Sequence, residues 1–153
     1  MELDSIDMAI LRELQDDGRI TNVELASRVG ISAPPCLRRV RRLEEAGIIS
    51  GYRAMLDATK LGQEIEAFCL VGLMHQSDAG IKAFAAMTRD WPMVRAAWMM
   101  SGETDFILHC VAPDFSSFQQ FVLEELTTAE NVDTVRSALT IGKVKDEGLV
   151  DLS

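Results

Sequence analysis

The chain has 153 residues, 48% apolar and 25% charged, with a formal net charge of −9. That composition supports a packed core and excludes wholesale disorder, and no run approaches the roughly 18 apolar residues of a membrane span. Met1-Glu2-Leu3-Asp4 lacks the basic start of a secretory signal. Cys36, Cys69 and Cys110 are odd in number and widely spaced, fitting neither a disulfide framework nor a CxxC metal site. A cytoplasmic protein is expected. The negative charge is unevenly spread: residues 1–53 hold eight basic and nine acidic side chains, residues 54–153 seven and fifteen. Four arginines (Arg38, Arg39, Arg41, Arg42) fall within five residues, with no acid among them. The asymmetry points to two domains with different partners.

The first third reads as three short helices. Ile6, Ile10 and Leu14 recur at helical spacing behind Asp4 as cap, with Gly18 beyond the end. Thr21 to Glu24 has the spacing of a capping box, and Leu25, Ala26 and Val29 line the apolar side of a second helix that stops at Gly30. Ser32 is the expected cap of a third helix, with Pro34 and Pro35 in its first turn, where backbone donors have no intrahelical partner. That helix runs to about Ala46, and Gly47 stops it. Ile48 to Leu56 is extended in character, and 57–66 reads as a linker.

Beyond it, strand-like and helix-like runs alternate. Ala67 to Met74 is an apolar strand, and Asp78 to Arg89 a helix carrying Ile81, Phe84 and Met87. Val94 to Met100 and Asp105 to Ala112 are strands joined through Ser101-Gly102-Glu103-Thr104. Ser116 to Leu126 is a helix, and Val132 to Val144 a closing strand. The order β-α-β-β-α-β is the ferredoxin-like split unit, so the expected fold class is α+β. The expected domains are 1–56, a linker 57–66, and 67–153.

Two short helices joined at a glycine, the second basic, describe a helix-turn-helix. On the third helix Cys36, Val40 and Leu43 share an inward face, with Leu37 beside it. Pro34, Arg38, Arg41 and Arg42 project away, and Arg39 lies to one side. Such a helix reads base edges with its first turns and holds phosphates with its arginines. Ser32, Ala33, Pro34, Arg38 and Arg39 are candidate base readers; Arg41 and Arg42 are candidate phosphate contacts. Arg53, beyond Gly51-Tyr52, is placed to touch a phosphate as a short wing would, and equally as a plain surface residue. A merely solvated basic face would interleave acids with the arginines, and Glu44-Glu45 arrive only at the end. The pattern therefore favours double-stranded DNA.

The remaining two-thirds hold little catalytic machinery. His109 lies inside an apolar strand, Glu124 and Glu125 are adjacent and diverge, and no GxSxG, HExxH, P-loop or GxGxxG occurs. Neither an enzyme activity, a metal nor a cofactor is expected. Trp91, Trp98, Met99 and Met100 read as core or subunit interface. One turn stands out: Ser101, Gly102, Glu103, Thr104 and Asp105 gather amides, hydroxyls and two carboxylates, which can meet a zwitterion. The residues alone slightly favour a plain hairpin turn in which Asp105 bonds nearby amides.

Leu3-Asp4, Asp7, Ile10-Leu11, Asp17-Gly18-Arg19, Glu24-Leu25-Ala26, Val29-Gly30-Ile31-Ser32, Pro35-Cys36, Arg39-Val40, Leu43-Glu44, Gly47-Ile48-Ile49 and Gly51-Tyr52 closely resemble the Lrp/AsnC, or feast/famine, transcription factors. Ser101-Gly102, Asp105-Phe106 and a last strand ending Val144-Lys145 resemble the same family's C-terminal domain. The resemblance implies a winged or plain helix-turn-helix hinged to a ferredoxin-like effector and oligomerisation domain. It implies dimers formed by pairing those sheets, which often assemble into octamers, and an amino-acid effector bound near the glycine turn. Carried over by motif, Gly102 and Asp105 lead the effector candidates, then Ser101, Glu103 and Thr104, with Ser137, Leu139 and Thr140 on the last strand as weaker ones. Pro34 stands where many relatives carry a hydroxyl residue, and Glu103-Thr104 replaces an acidic-aromatic pair. The expected function is a DNA-binding regulator that senses a small metabolite. The alternatives are an architectural DNA-wrapping protein without effector and a small ferredoxin-like enzyme.

Overall fold

The computed structural model describes residues 2–145 and 150–152. The chain divides into two compact units, Met1–Met55 with Lys145–Ser153, and Leu56–Val144. The return of the chain's end to the first unit differs from the expected domain 67–153. Gln15 Nε2 on the first helix donates to the Val150 carbonyl at 2.8 Å, Arg12 Nε donates to that of Leu152, and Val150 and Leu152 line an apolar groove with Leu11, Leu14 and Ile49.

The first unit contains α1 (Ser5–Asp16), α2 (Asn22–Arg28) and α3 (Ala33–Glu45). Asp4 caps α1, and Asp7 completes a full capping box, its carboxylate accepting from the Asp4 amide. At α2 the expected box is only half formed. Thr21 Oγ1 accepts from the Glu24 amide, but the Glu24 carboxylate turns to Arg28 at 2.6 Å. Helices α2 and α3 both end in Schellman motifs. Gly30 and Gly47 sit at φ +74° and +70°, while Ile31 and Ile48 donate back to the carbonyls of Ala26 and Leu43. The core is Ile10, Leu25, Ala26, Cys36 and Leu43, with Val40 and Ile31 packed against it. Residues 48–56 form no strand, so Arg53 is not carried on a β-hairpin wing.

In the second unit the elements are β1 (Ile65–Leu73), α4 (Asp78–Asp90), β2 (Val94–Met99), β3 (Phe106–Ala112), α5 (Phe115–Gln120, widening to a π-helix over Phe121–Leu126) and β4 (Val132–Leu139). The sheet order is β2-β3-β1-β4, all pairs antiparallel. β1 begins two residues earlier than expected, because Ile65 and Glu66 pair with Ala112 and Val111. β4 ends at Leu139 rather than Val144: Thr140 makes its last bond to the Glu66 carbonyl, and beyond that β1 has run out. Strand alternation buries Ala67, Cys69, Val71 and Leu73 with Phe106, Leu108, Cys110 and Ala112 beneath the helices, against Phe84, Phe118 and Phe121. Trp91 belongs to this core, edge-on to Phe84 and Phe121.

Among the described residues of this unit, no helix covers the sheet's other face. By register it carries Phe68 and Leu70 of β1, Ile107 and His109 of β3 and Trp98 of β2. Trp98 is 48% exposed and Phe68 37%. His109 is a packed side chain here, its ring stacked on Phe68 and its Nε2 2.6 Å from Glu66 Oε1.

Candidate functional site

Two prolines stand in the first turn of the third helix. Ser32 is at the N-cap position, yet its hydroxyl makes no cap bond. A capping oxygen accepts from the second or third helical amide, and here those positions are Pro34 and Pro35, which have no N–H. The expected capping role of Ser32 is therefore lost, and the hydroxyl is left to solvent. Ala33, half buried, is fixed from α2, its carbonyl accepting from Asn22 Nδ2 at 2.8 Å.

The arginines fall into two stripes one helical turn long. Arg38 and Arg41 are exposed. Arg39 and Arg42 are turned onto α1. Arg39 Nη1 donates to Asp7 Oδ1 at 2.8 Å and to Asp4 Oδ2 at 2.7 Å, and Arg42 Nη2 donates to Asp7 Oδ2 at 2.6 Å. Arg42 is exposed on the outer side as expected, its side chain 47% exposed, and is at the same time tied to Asp7. On the wheel Arg38 and Arg42 are close, but a long guanidinium side chain reaches a buried carboxylate that its own helix does not reveal. The Asp7 amide bond first, and then the Arg39 guanidinium, hold the Asp4 carboxyl below the ordinary aspartate value. Cys36 is fully buried, and burial pushes its thiol up, away from reactivity. Tyr52 donates to Glu44 at 3.0 Å; burial first, then that carboxylate, pushes its phenol up to about 12. This bond ties the chain leaving α3 to the helix end, and Arg53 follows on the exposed surface.

In the second unit the turn between β2 and β3 is held from both sides. The Asp105 amide donates to the Val71 carbonyl, its carbonyl accepts from Met100, and its Oδ2 accepts from the Leu73 amide at 2.7 Å. Gly102 has φ +116°, a conformation that L side chains rarely adopt, and open space where a Cβ would stand. Ser101, Gly102 and Glu103 are exposed, and Thr104 is half buried. Asn131, at φ 69°, braces the same end of β1, bonding the backbone amide and carbonyl of His75. Ser137, Leu139 and Thr140 are not brought to the turn within one chain. They lie progressively further along β1, opposite Cys69 and Ala67 and bonded to Glu66, while the turn sits beyond Val71. Ser137 and Leu139 instead line an apolar groove of about 260 Å³ with Phe115, Phe118 and Leu123.

Sequence reasoning missed the roles of Asp7 and Asn131. The signal for the first was its spacing from Asp4, which matches a capping box with aspartate in the reciprocal place. For the second it was the tolerance of asparagine for positive φ just before a strand.

A helix-turn-helix with a basic, exposed third helix, in one chain with a ferredoxin-like βαββαβ unit, defines a two-domain DNA-binding regulator. Comparison with known proteins agrees. Residues 3–50 match the winged helix-turn-helix DNA-binding family, and residues 66–150 the Lrp/AsnC ligand binding domain. The chain is 70% identical over 152 residues to a leucine-responsive regulatory protein of Rhizobium meliloti, covering 99% of this chain and 97% of that one. It is 40% identical over 143 residues to the Bkd operon transcriptional regulator of Pseudomonas aeruginosa, covering 94% of each. A Neisseria meningitidis transcriptional regulator, solved as its L-Met complex, superposes with a TM-score of 0.94 at 36% identity, over 99% of this chain and 97% of that one. The chain belongs to the Lrp/AsnC family of transcriptional regulators.

Proposed function

We propose that this regulator binds operator DNA through α3 as a multimer and changes its occupancy on binding an amino acid. The observation that carries the DNA contact is the first turn and outer stripe of α3. Ser32, Ala33 and Pro34 lie at its start, and Arg38 and Arg41 are exposed along it, while its opposite face is core. Ser32 and Arg38 read base edges, Arg41 and Arg53 hold phosphates, and Arg39 and Arg42 act through α1. The near-neutral first 53 residues approach the duplex, and the acidic remainder stays off it.

The ligand is an amino acid at Ser101, Gly102, Glu103, Thr104 and Asp105. The L-Met complex of the Neisseria regulator supports this class of ligand. Asp105 holds the turn in shape through Leu73, and Ser101 and Glu103 are the exposed polar side chains left to meet a zwitterion. The separation of Ser137, Leu139 and Thr140 from the turn supports a site that a second copy completes. Assembly begins at the helix-free sheet face with Phe68, Leu70, Trp98 and Ile107, since helices cover only one side of a four-stranded antiparallel sheet. Dimers then associate into larger rings, an octamer in the fullest form. The protein works in the cytoplasm, where operator DNA lies, and, like the Rhizobium and Pseudomonas regulators it resembles, acts without catalysing a reaction.

The test is selection of bound duplexes from random DNA by the full chain, with and without pooled L-amino acids. Enrichment of one pseudo-palindromic sequence, altered by an amino acid, supports the reading. Enrichment insensitive to every amino acid leaves an architectural DNA protein, and no enrichment overturns the proposal.

A further inference from the structure

We propose that Asp7 is a positioning residue for base recognition: its carboxylate sets the rotation of α3 that aims Arg38 and Arg41 at DNA, and it keeps Arg42 away from phosphates. This rests on the DNA-binding reading above and adds to it a residue on α1, a helix with no place in the groove.

The Asp7 carboxylate is 1% exposed and accepts three hydrogen bonds. One oxygen takes Arg39, and the other takes Arg42 and the Asp4 amide. Arg39 and Arg42 are three residues apart, so both bonds attach to one side of α3 and together resist its rolling. The anchor is itself rigid. Asp4 Oδ1 accepts from the Asp7 amide at 2.9 Å while Asp7 Oδ2 accepts from the Asp4 amide at 3.2 Å, so the carboxylate is locked into the first turn of α1. Asp4 adds a second bond to Arg39. Two carboxylates and two guanidiniums make a cluster with no net charge.

Apart from the Asn22 bond to the Ala33 carbonyl at the very start of α3, its other contacts with the core, through Cys36, Val40 and Leu43, are apolar. Apolar packing is strong but non-directional. Bidentate use of a buried carboxylate is directional, and a guanidinium matches it geometrically. The capping box of α1 is thus joined to the orientation of the recognition helix. Breaking the cluster has two consequences. The outer stripe loses its fixed aim, which lowers discrimination between sequences. Arg42 is freed as a cation beside the duplex while Arg39 keeps its bond to Asp4, which raises attraction to any phosphate backbone. A residue that merely holds the fold together would lower both kinds of binding in proportion.

The experiment compares the full-length parent with Asp7→Asn and Arg42→Gln. The probes are a duplex recovered from random DNA by the parent and a scrambled duplex of the same length and composition. Folding is checked by circular dichroism. For Asp7→Asn the ratio of selected to scrambled affinity should fall by about tenfold or more. Its affinity for the scrambled duplex should hold or rise, and its salt slope should steepen by about one per recognition helix. Arg42→Gln keeps Asp7 paired with Arg39, so it folds even if Asp7→Asn does not. It should lose discrimination without a steeper slope. Parental ratios in the folded variants, or both affinities falling together, overturn the inference. A parent that selects no duplex instead overturns the DNA-binding reading itself, which the parent arm reports separately.

Discussion

The carboxylate of Asp105 accepts a hydrogen bond from the backbone amide of Leu73 at 2.7 Å, closing the end of β1 against the turn that carries Gly102. Leu73 is 7% exposed, so its amide has little access to water. Asp105→Ala should cost about 1–3 kcal/mol by leaving that donor unpaired, whereas Asp105→Asn retains an acceptor and should cost less than about 1 kcal/mol. Denaturant unfolding of the full chain measures both. The alanine variant should also lose the thermal shift produced by whichever amino acid stabilises the parent. A parental shift in that variant would place the ligand elsewhere.

Two N-caps of similar residue type should behave differently on mutation. Thr21→Ala removes a side-chain cap of α2 and should cost about 1 kcal/mol. Ser32→Ala removes no cap bond and should change stability by less than about 0.5 kcal/mol. It should nevertheless alter base preference in the first positions of the half-site. Equal destabilisation by the two substitutions would contradict the proline explanation.

The outer arginine stripe makes a prediction about salt. Arg41→Ala should weaken binding about equally on all duplexes and reduce the salt slope by about one per contact. Arg38→Ala should in addition relax specificity at one base position, at a cost of about 1–3 kcal/mol of discrimination. Neither should shift the unfolding midpoint, since both side chains are exposed. Unchanged slopes in both would remove α3 from the groove.

Assembly through the helix-free sheet face is tested on the full chain with Ile107→Glu and Trp98→Glu. Ile107→Glu places a charge in the middle of an apolar surface formed by Phe68, Leu70, Trp98 and Ile107, and Trp98→Glu places one on its β2 edge. The expected outcome is a shift toward monomer in sedimentation at micromolar concentration, with the far-ultraviolet spectrum retained. Parental sedimentation of both would mean that this face is not the dimer contact.

The α1 capping box should show in acid. The Asp7 amide and then the Arg39 guanidinium lower the Asp4 carboxyl in the folded protein, so the unfolded chain binds the proton more readily. The Asp4 contribution is therefore present above about pH 4 and is lost as pH falls through the lowered folded value. Urea midpoints of the parent and Asp4→Asn should differ by a constant amount at neutral and mildly acidic pH, and converge in stronger acid. A difference that persists to the lowest pH would assign the effect to the hydrogen bonds and not to the charge.

Much of this molecule is written in short stretches of chain. Gly30 and Gly47 stop helices because their carbonyl and amide partners lie within five residues. Alternation along Ala67 to Leu73 declares a buried strand face, and the order of strands and helices identifies the split βαβ unit. Such features depend on local backbone geometry and on periodicity, which neighbouring residues alone establish. The pairing of Arg42 with Asp7, the bond from Leu73 to Asp105 and the end of β4 at Leu139 were decided only by tertiary structure. Each depends on what a distant segment brings within hydrogen-bond reach: a carboxylate on another helix, an amide on a neighbouring strand, the last residues of β1. The same holds for the chain's own end, whose carbonyls at Val150 and Leu152 find Gln15 and Arg12 more than 130 residues away. A long polar side chain can satisfy itself in many places, and only the packed fold selects one.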